Sequence, residues 1–144
     1  MTSFDTVYAA FLSKILDDEW EDWDEDDVQE DMFTLLQGAI VRFKFPRTSL
    51  EYGEDGFVNN LSDIEVQILA CYMKCEWLNR TILTWENVKP LYEERDFSQA
   101  NLIDKFNAML AAEQKHAARL ESIYYRSINN KPFAYRNLAT QINE

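Results

Sequence analysis

Apolar side chains recur at three- and four-residue steps through four stretches of this chain, and each stretch predicts an amphipathic helix. Phe4, Val7, Tyr8, Phe11, Leu12 and Ile15 define the first, over residues 3–16. Val28, Met32, Leu35, Leu36, Ala39, Ile40 and Phe43 define the second, over 26–42, with acids at its start that suit the helix dipole. Gly38 inside that pattern costs helicity, and its expected use is close packing against another backbone. The third begins where Ser62 and Glu65 form a capping-box pattern, runs through Ile64, Ile68, Leu69, Tyr72, Met73 and Trp77, and extends to Ile82. Apolar residues on nearly every side from 70 to 78 put it at the centre of its bundle. Residues 85–92 read as a short bridging helix despite Pro90. The longest pattern, 98–129, contains neither Gly nor Pro and gathers Ala100, Ile103, Phe106, Met109, Leu110, Ala117, Leu120, Ile123 and Tyr124 on one stripe. Ser98 is its expected N-cap, with Asp96 adding favourable charge. Such a helix spans roughly 45 Å. The rest of the chain is expected to organise around it, and other helices or neighbouring copies must cover its far end.

Three stretches interrupt the helical rhythm. Residues 17–26 form an acidic linker punctuated by Trp20 and Trp23. Residues 43–58 carry Pro46, Gly53 and Gly56, with strand-like character at Arg42, Phe43, Lys44 and Phe45 and again at Phe57 and Val58. That excursion is long for a helix connection, and such loops often carry function. Residues 130–144 hold Lys131, Pro132, Phe133, Tyr135, Arg136, Leu138 and Ile142 and are too short to fold alone, so they dock on a partner or stay mobile. The expected fold is mainly α. It is a helical bundle with a long C-terminal helix, a strand-bearing loop between the second and third helices, and an extended C-terminal arm. The division is 1–129 for the bundle and 130–144 for the arm.

A chain of 144 residues is one domain able to bury its own core. Nine Phe, seven Tyr and four Trp exceed what that core needs, which leaves rings for contacts between chains. A formal charge of −12 disfavours general binding to a nucleic-acid backbone. The imbalance is local: eleven acids lie between Asp17 and Asp31 with no basic residue among them, whereas residues 101–144 have six Lys/Arg against four Asp/Glu. Head-to-side contact between copies would use that asymmetry, and a monomer with one solvated acidic face would also produce it. Cys71 and Cys75 share a helix face, make no easy disulfide with each other, and read as buried free thiols. With no secretory leader and no bilayer-length apolar run, the chain is expected to be soluble and made inside the cell.

Candidate chemistry is sparse, and no catalytic residue, metal ligand set or cofactor is assigned. The sole histidine is His116. Cys–His catalysis would need Cys71 or Cys75 to meet it across helices and would still need an oxyanion site. Glu113 and His116 form one Glu-x-x-His pair, but di-metal bundles need a second pair and further carboxylates. His116 is therefore expected at the surface or in a subunit contact. Asp22, Asp24 and Asp26 have the alternation of a calcium loop, which fails at Asp27, where the turn glycine belongs, and at Phe33, where a bidentate Glu belongs. The turn Gly53-Glu54-Asp55-Gly56 lacks the lysine of a phosphate loop. Arg42, Lys44 and Arg47 form one small basic cluster, solubilising by default and channel-lining if subunits form a ring around DNA.

A longer pattern consists of packing and capping signatures rather than chemistry. A short amphipathic helix and a second helix are followed by Gly56-Phe57-Val58-x-x-Leu61-Ser62-x-x-Glu65, by Ile68-Leu69-Ala70-x-x-Met73-x-x-x-Trp77-Leu78, and by Phe97-Ser98-Gln99-Ala100-Asn101 opening a long helix. Over residues 4–128 this order resembles the head–tail connector, or adaptor, proteins of tailed bacteriophages of Gram-positive hosts. The resemblance implies a non-enzymatic virion protein, made in the host cytoplasm, in a homo-oligomeric ring expected to be twelvefold. The ring sits at the head–tail junction between the portal protein and other neck or tail proteins. DNA would pass its channel without sequence-specific binding, and neither cofactor nor membrane is involved. Carried over by position, the loop facing the channel or the next ring would offer Arg42, Lys44, Phe45, Arg47, Glu51 and Asp55. The docking arm would use Lys131, Pro132, Phe133, Tyr135, Arg136 and Leu138. The acidic linker departs from a minimal adaptor, which leaves adaptor, stopper and other neck components as alternatives. A different class of function, a small acidic helical regulator, would bind its partner through Trp20, Trp23, Asp24 and Asp26.

Overall fold

The computed structural model describes residues 1–15, 20–88 and 96–126. In chain order its elements are β1 (Thr2–Ser3), α1 (Phe4–Leu12), α2 (Glu25–Arg42), β2 (Gly56–Phe57), α3 (Asp63–Val88) and α4 (Asp96–Tyr125). The architecture is a mainly α bundle of four helices with a small strand-bearing loop between α2 and α3 and a long final helix, as the periodicity predicts. Among the described residues no helix is long and apolar enough to cross a membrane.

The chain does not organise around the longer α4: the centre of the bundle is α3, as its wide apolar surface predicts. It packs against α1, α2 and α4, while α4 packs chiefly against α3. Composition explains the difference. Ile68, Leu69, Ala70, Cys71, Met73, Cys75 and Leu78 are all fully buried, so α3 is apolar around most of its circumference. Each large aliphatic side chain among them contributes about 1.5–3 kcal/mol by leaving water. In α4 the buried positions from residue 101 onward are Ile103, Glu113, Ala117 and Tyr124, with Leu102, Phe106, Leu110 and Leu120 half-buried beside them. That single stripe seats the helix on one side only.

Several expectations need correction. The first helix ends at Leu12 rather than residue 16, although Ile15 beyond it is still buried. Residues 42–45 hold no strand, because α2 continues through Arg42 and the following residues are irregular. The partner of β2 is instead the N-terminal pair Thr2–Ser3, antiparallel with Thr2 opposite Phe57 and Ser3 opposite Gly56. Val58 lies just outside β2. A separate bridging helix at 85–92 is replaced, as far as residue 88, by the continuation of α3; residues 89–92 lie outside the described part. Ser98 lies inside α4, which already includes Asp96, and so is not its N-cap. Gly38 meets a side chain rather than a backbone, since a Cβ there would lie 2.7 Å from Glu76 Cδ.

Candidate functional surfaces

The capping box at the start of α3 also anchors the neighbouring loop. The Ser62 N–H donates to Glu65 Oε1 at 2.8 Å, and the Glu65 N–H donates back to Ser62 Oγ at 3.4 Å. Glu65 is only 1% exposed, and its carboxylate accepts four further hydrogen bonds. Ser62 Oγ and Thr48 Oγ1 donate to Oε1 at 2.9 and 3.1 Å. The Thr48 N–H and the Tyr124 hydroxyl donate to Oε2 at 3.3 and 2.8 Å. Burial pushes the carboxyl upward, but the bonds from Ser62, Tyr124 and Thr48 outweigh it and hold the pKa below its ordinary value. One side chain thus ties together the loop, the amino end of α3 and the carboxyl end of α4.

The same clasp determines which loop residues remain available. Arg47 donates its N–H to the Tyr124 hydroxyl at 2.6 Å and its guanidinium to the Tyr125 carbonyl at 2.9 Å, with its charge 5.2 Å from the centre of the Tyr124 ring. Arg42 sits in the last turn of α2 and pairs with Glu76 of α3. The basic cluster is therefore split, with two of its members engaged with other elements. Lys44 is exposed and Phe45 is 72% exposed. Further along, the Glu51 carbonyl accepts from the Val58 N–H at 2.9 Å, and the Asp55 carbonyl accepts from the Phe4 N–H at 3.3 Å. Phe4 packs its ring against Phe33, Tyr52 and Phe57 at centroid distances of 5.5, 5.9 and 5.4 Å. Gly56 permits the close approach of β1, since a Cβ there would lie 2.3 Å from the Thr2 carbonyl oxygen. The Glu51 and Asp55 side chains are left at the surface.

The two tryptophans of the acidic segment separate. Trp20 is buried, stands edge-on to Phe11 at 5.9 Å, and donates its Nε1–H to Asp31 Oδ2 at 2.6 Å. Asp31 in turn receives both arms of Arg80 from α3, at 2.6 and 3.1 Å. Trp23 is 42% exposed. It lines a surface concavity of about 590 Å³ with Asp22, Asp24, Asp27, Glu30, Asp31 and Thr34. Asp26 is exposed and outside that lining. Only one of the two rings can therefore meet a partner.

Opposite the face it lays on α3, α4 exposes Ala108, Ala111, Ala112 and Ala118, together with Lys105, Lys115 and Arg119, while Met109, 37% exposed, borders the packed stripe. At the α3–α4 seam, Cys71 Sγ lies 3.9 Å from His116 Nδ1, which lies 3.7 Å from Glu113 Oε1. The thiol, carboxylate and imidazole atoms all fall within 4.8 Å of one another, the spacing of a metal-ligand set. Helix spacing pairs Glu113 with His116, whereas only packing brings Cys71 to them. His116 is at the surface, as expected, with its side chain 48% exposed. Cys71 and Cys75 are both free and buried, and burial raises their thiols to about 12 and about 11. The arm residues Lys131, Pro132, Phe133, Tyr135, Arg136 and Leu138 lie outside the described part. No protein-family model, curated protein or solved structure matches the chain.

Proposed function

We propose that this chain is a non-catalytic structural protein that assembles with copies of itself into a ring, as a connector at the head–tail junction of a phage virion. The observation that carries this reading is the long α4 helix, 30 residues seated on α3 along one stripe, with alanines on its outer face. Small side chains let another helix approach closely, and a helix of about 45 Å offers the length a subunit wall needs. Charge supports a head-to-tail arrangement. The concavity around Trp23 is lined by five acids, while the outer α4 face carries Lys105, Lys115 and Arg119. A concavity on one copy meeting a basic helix on the next is a heterologous contact, the kind that closes into rings. In this arrangement Lys44 and Phe45 are the loop residues best exposed to a channel or a neighbouring ring.

Native mass measurement of the purified chain, alone and then mixed with a portal ring, tests the proposal. A closed oligomer or a portal complex is expected; a solitary chain that joins no portal-like ring overturns it. Exposure of Trp23 inside an acidic concavity favours a second reading, a regulator that binds a basic protein partner there. The two separate in one experiment. Replacing Lys115 and Arg119 by Glu abolishes ring assembly under the first reading and leaves partner binding intact under the second.

A further inference from the structure

We propose that Cys71, Glu113 and His116 form a three-ligand site for a zinc-class divalent transition metal at the seam of α3 and α4, with its fourth coordination position open to solvent. The donor set is one thiol, one carboxylate and one imidazole, a combination that suits a borderline-soft ion and not magnesium or calcium. In a tetrahedral zinc site, metal–ligand bonds of about 2.0–2.3 Å place ligand atoms roughly 3.3–3.6 Å apart. The thiol–imidazole and imidazole–carboxylate separations of 3.9 and 3.7 Å need a slight contraction to reach that geometry, and the thiol–carboxylate pair, which lies within 4.8 Å, closes by a side-chain rotation as the ion binds.

An independent observation points to a ligand. Glu113 is only 8% exposed, and its buried Oε1 receives no hydrogen bond of ordinary geometry, the carboxylate's neighbours on this side being the Cys71 thiol, a weak donor, and the His116 imidazole at 3.7 Å. Its other oxygen faces the Lys74 ammonium at 3.3 Å, which orients the carboxylate and leaves Oε1 directed toward the thiol and the imidazole. A buried carboxylate oxygen satisfied only by a weak thiol donor and a distant imidazole is costly, and a cation bound there relieves that cost. Half-exposed His116 provides the entry path and places the open position at the protein surface. A water molecule, or a donor atom from another chain, completes the coordination there. Binding a divalent ion at the thiol releases its proton to solvent, and the resulting thiolate and carboxylate offset the two positive charges. The site would lock α4 onto α3 near the middle of the long helix.

Cobalt(II) titration of the reduced full chain tests this, read by the thiolate-to-cobalt charge-transfer absorption and by competition between zinc and a chromophoric chelator. One equivalent with that absorption is expected. Cys71→Ser should abolish the absorption, and Cys75→Ser, one turn away, should leave it. His116→Ala alters an exposed side chain and keeps the fold, which circular dichroism would check. It should weaken zinc binding at least about tenfold, since even outer-shell partners of a metal cost that much. Absence of the absorption in the unmodified chain overturns the proposal, as does its survival in Cys71→Ser or its loss in Cys75→Ser. Cation binding unchanged by substitution of each of the three ligands would reflect the acidic segment alone and would also overturn it.

Discussion

Replacing Glu65 by Gln should lower stability by about 3 kcal/mol, because the carboxylate accepts five hydrogen bonds that an amide cannot all accept. If the amide oxygen takes the Oε1 position, it retains the bonds from Ser62 and from the Thr48 hydroxyl. The amide NH2 then faces the Thr48 N–H and the Tyr124 hydroxyl, both donors in the native arrangement. The hydroxyl can turn, although it also accepts the Arg47 N–H at 2.6 Å; the Thr48 N–H cannot. One bond is lost outright at a buried site and the rest lose charge assistance, with a bond to a charged group worth about 1.5–3 kcal/mol. For a chain of this size the loss corresponds to a fall in Tm of about 10 °C. Urea titration followed by tryptophan fluorescence measures it directly. The sign with pH follows from the depressed carboxyl. Its stabilising effect is fully present above the ordinary value of 4.5 and disappears as pH falls through the lower folded value. The gap between the parent chain and the Glu65→Gln variant should therefore narrow in acid. A variant within about 0.3 kcal/mol of the parent at neutral pH, or a gap that persists unchanged in acid, refutes this account of the hub.

Trp20→Phe removes the donor to Asp31 and should cost about 1.5–3 kcal/mol, whereas Trp23→Ala should cost no more than about 0.5 kcal/mol; paired urea midpoints distinguish them. Gly56→Ala drives a methyl group into the Thr2 carbonyl and should cost about 1–3 kcal/mol while detaching β1, seen as faster amide exchange at Phe57. Gly53→Ala, which meets nothing within 4 Å, is the matched control. Because burial holds Cys71 and Cys75 at about 12 and about 11, neither thiol should react with a disulfide reagent at neutral pH until the chain unfolds. Stopped-flow labelling with and without denaturant measures both rates.

Periodicity alone located the helices, because an amphipathic stripe is a local signal that survives without knowledge of what covers it. The Ser62–Glu65 cap was equally legible, since both partners lie within one turn. Pairing β1 with β2 was not: two residues carry no period, and their partner lies far along the chain, across α1 and α2. The central place of α3 was legible in the apolar residues around 70–78, whereas expecting the chain to organise around α4 followed its length, which does not report how many sides a helix buries. Trp20 and Trp23 look alike in the chain, yet only packing against Phe11 and Asp31 decides that one is core and the other surface. The same holds for the candidate chemistry. Glu113 and His116 are neighbours by helical spacing, but the thiol that joins them belongs to another helix, and the second role of Glu65 depends on Thr48 and Tyr124. Local order along the chain determined the four helices and the cap of α3, but not the strands. Which side chains from different elements meet in one buried place was decided by tertiary packing, because burial couples residues that the sequence keeps far apart.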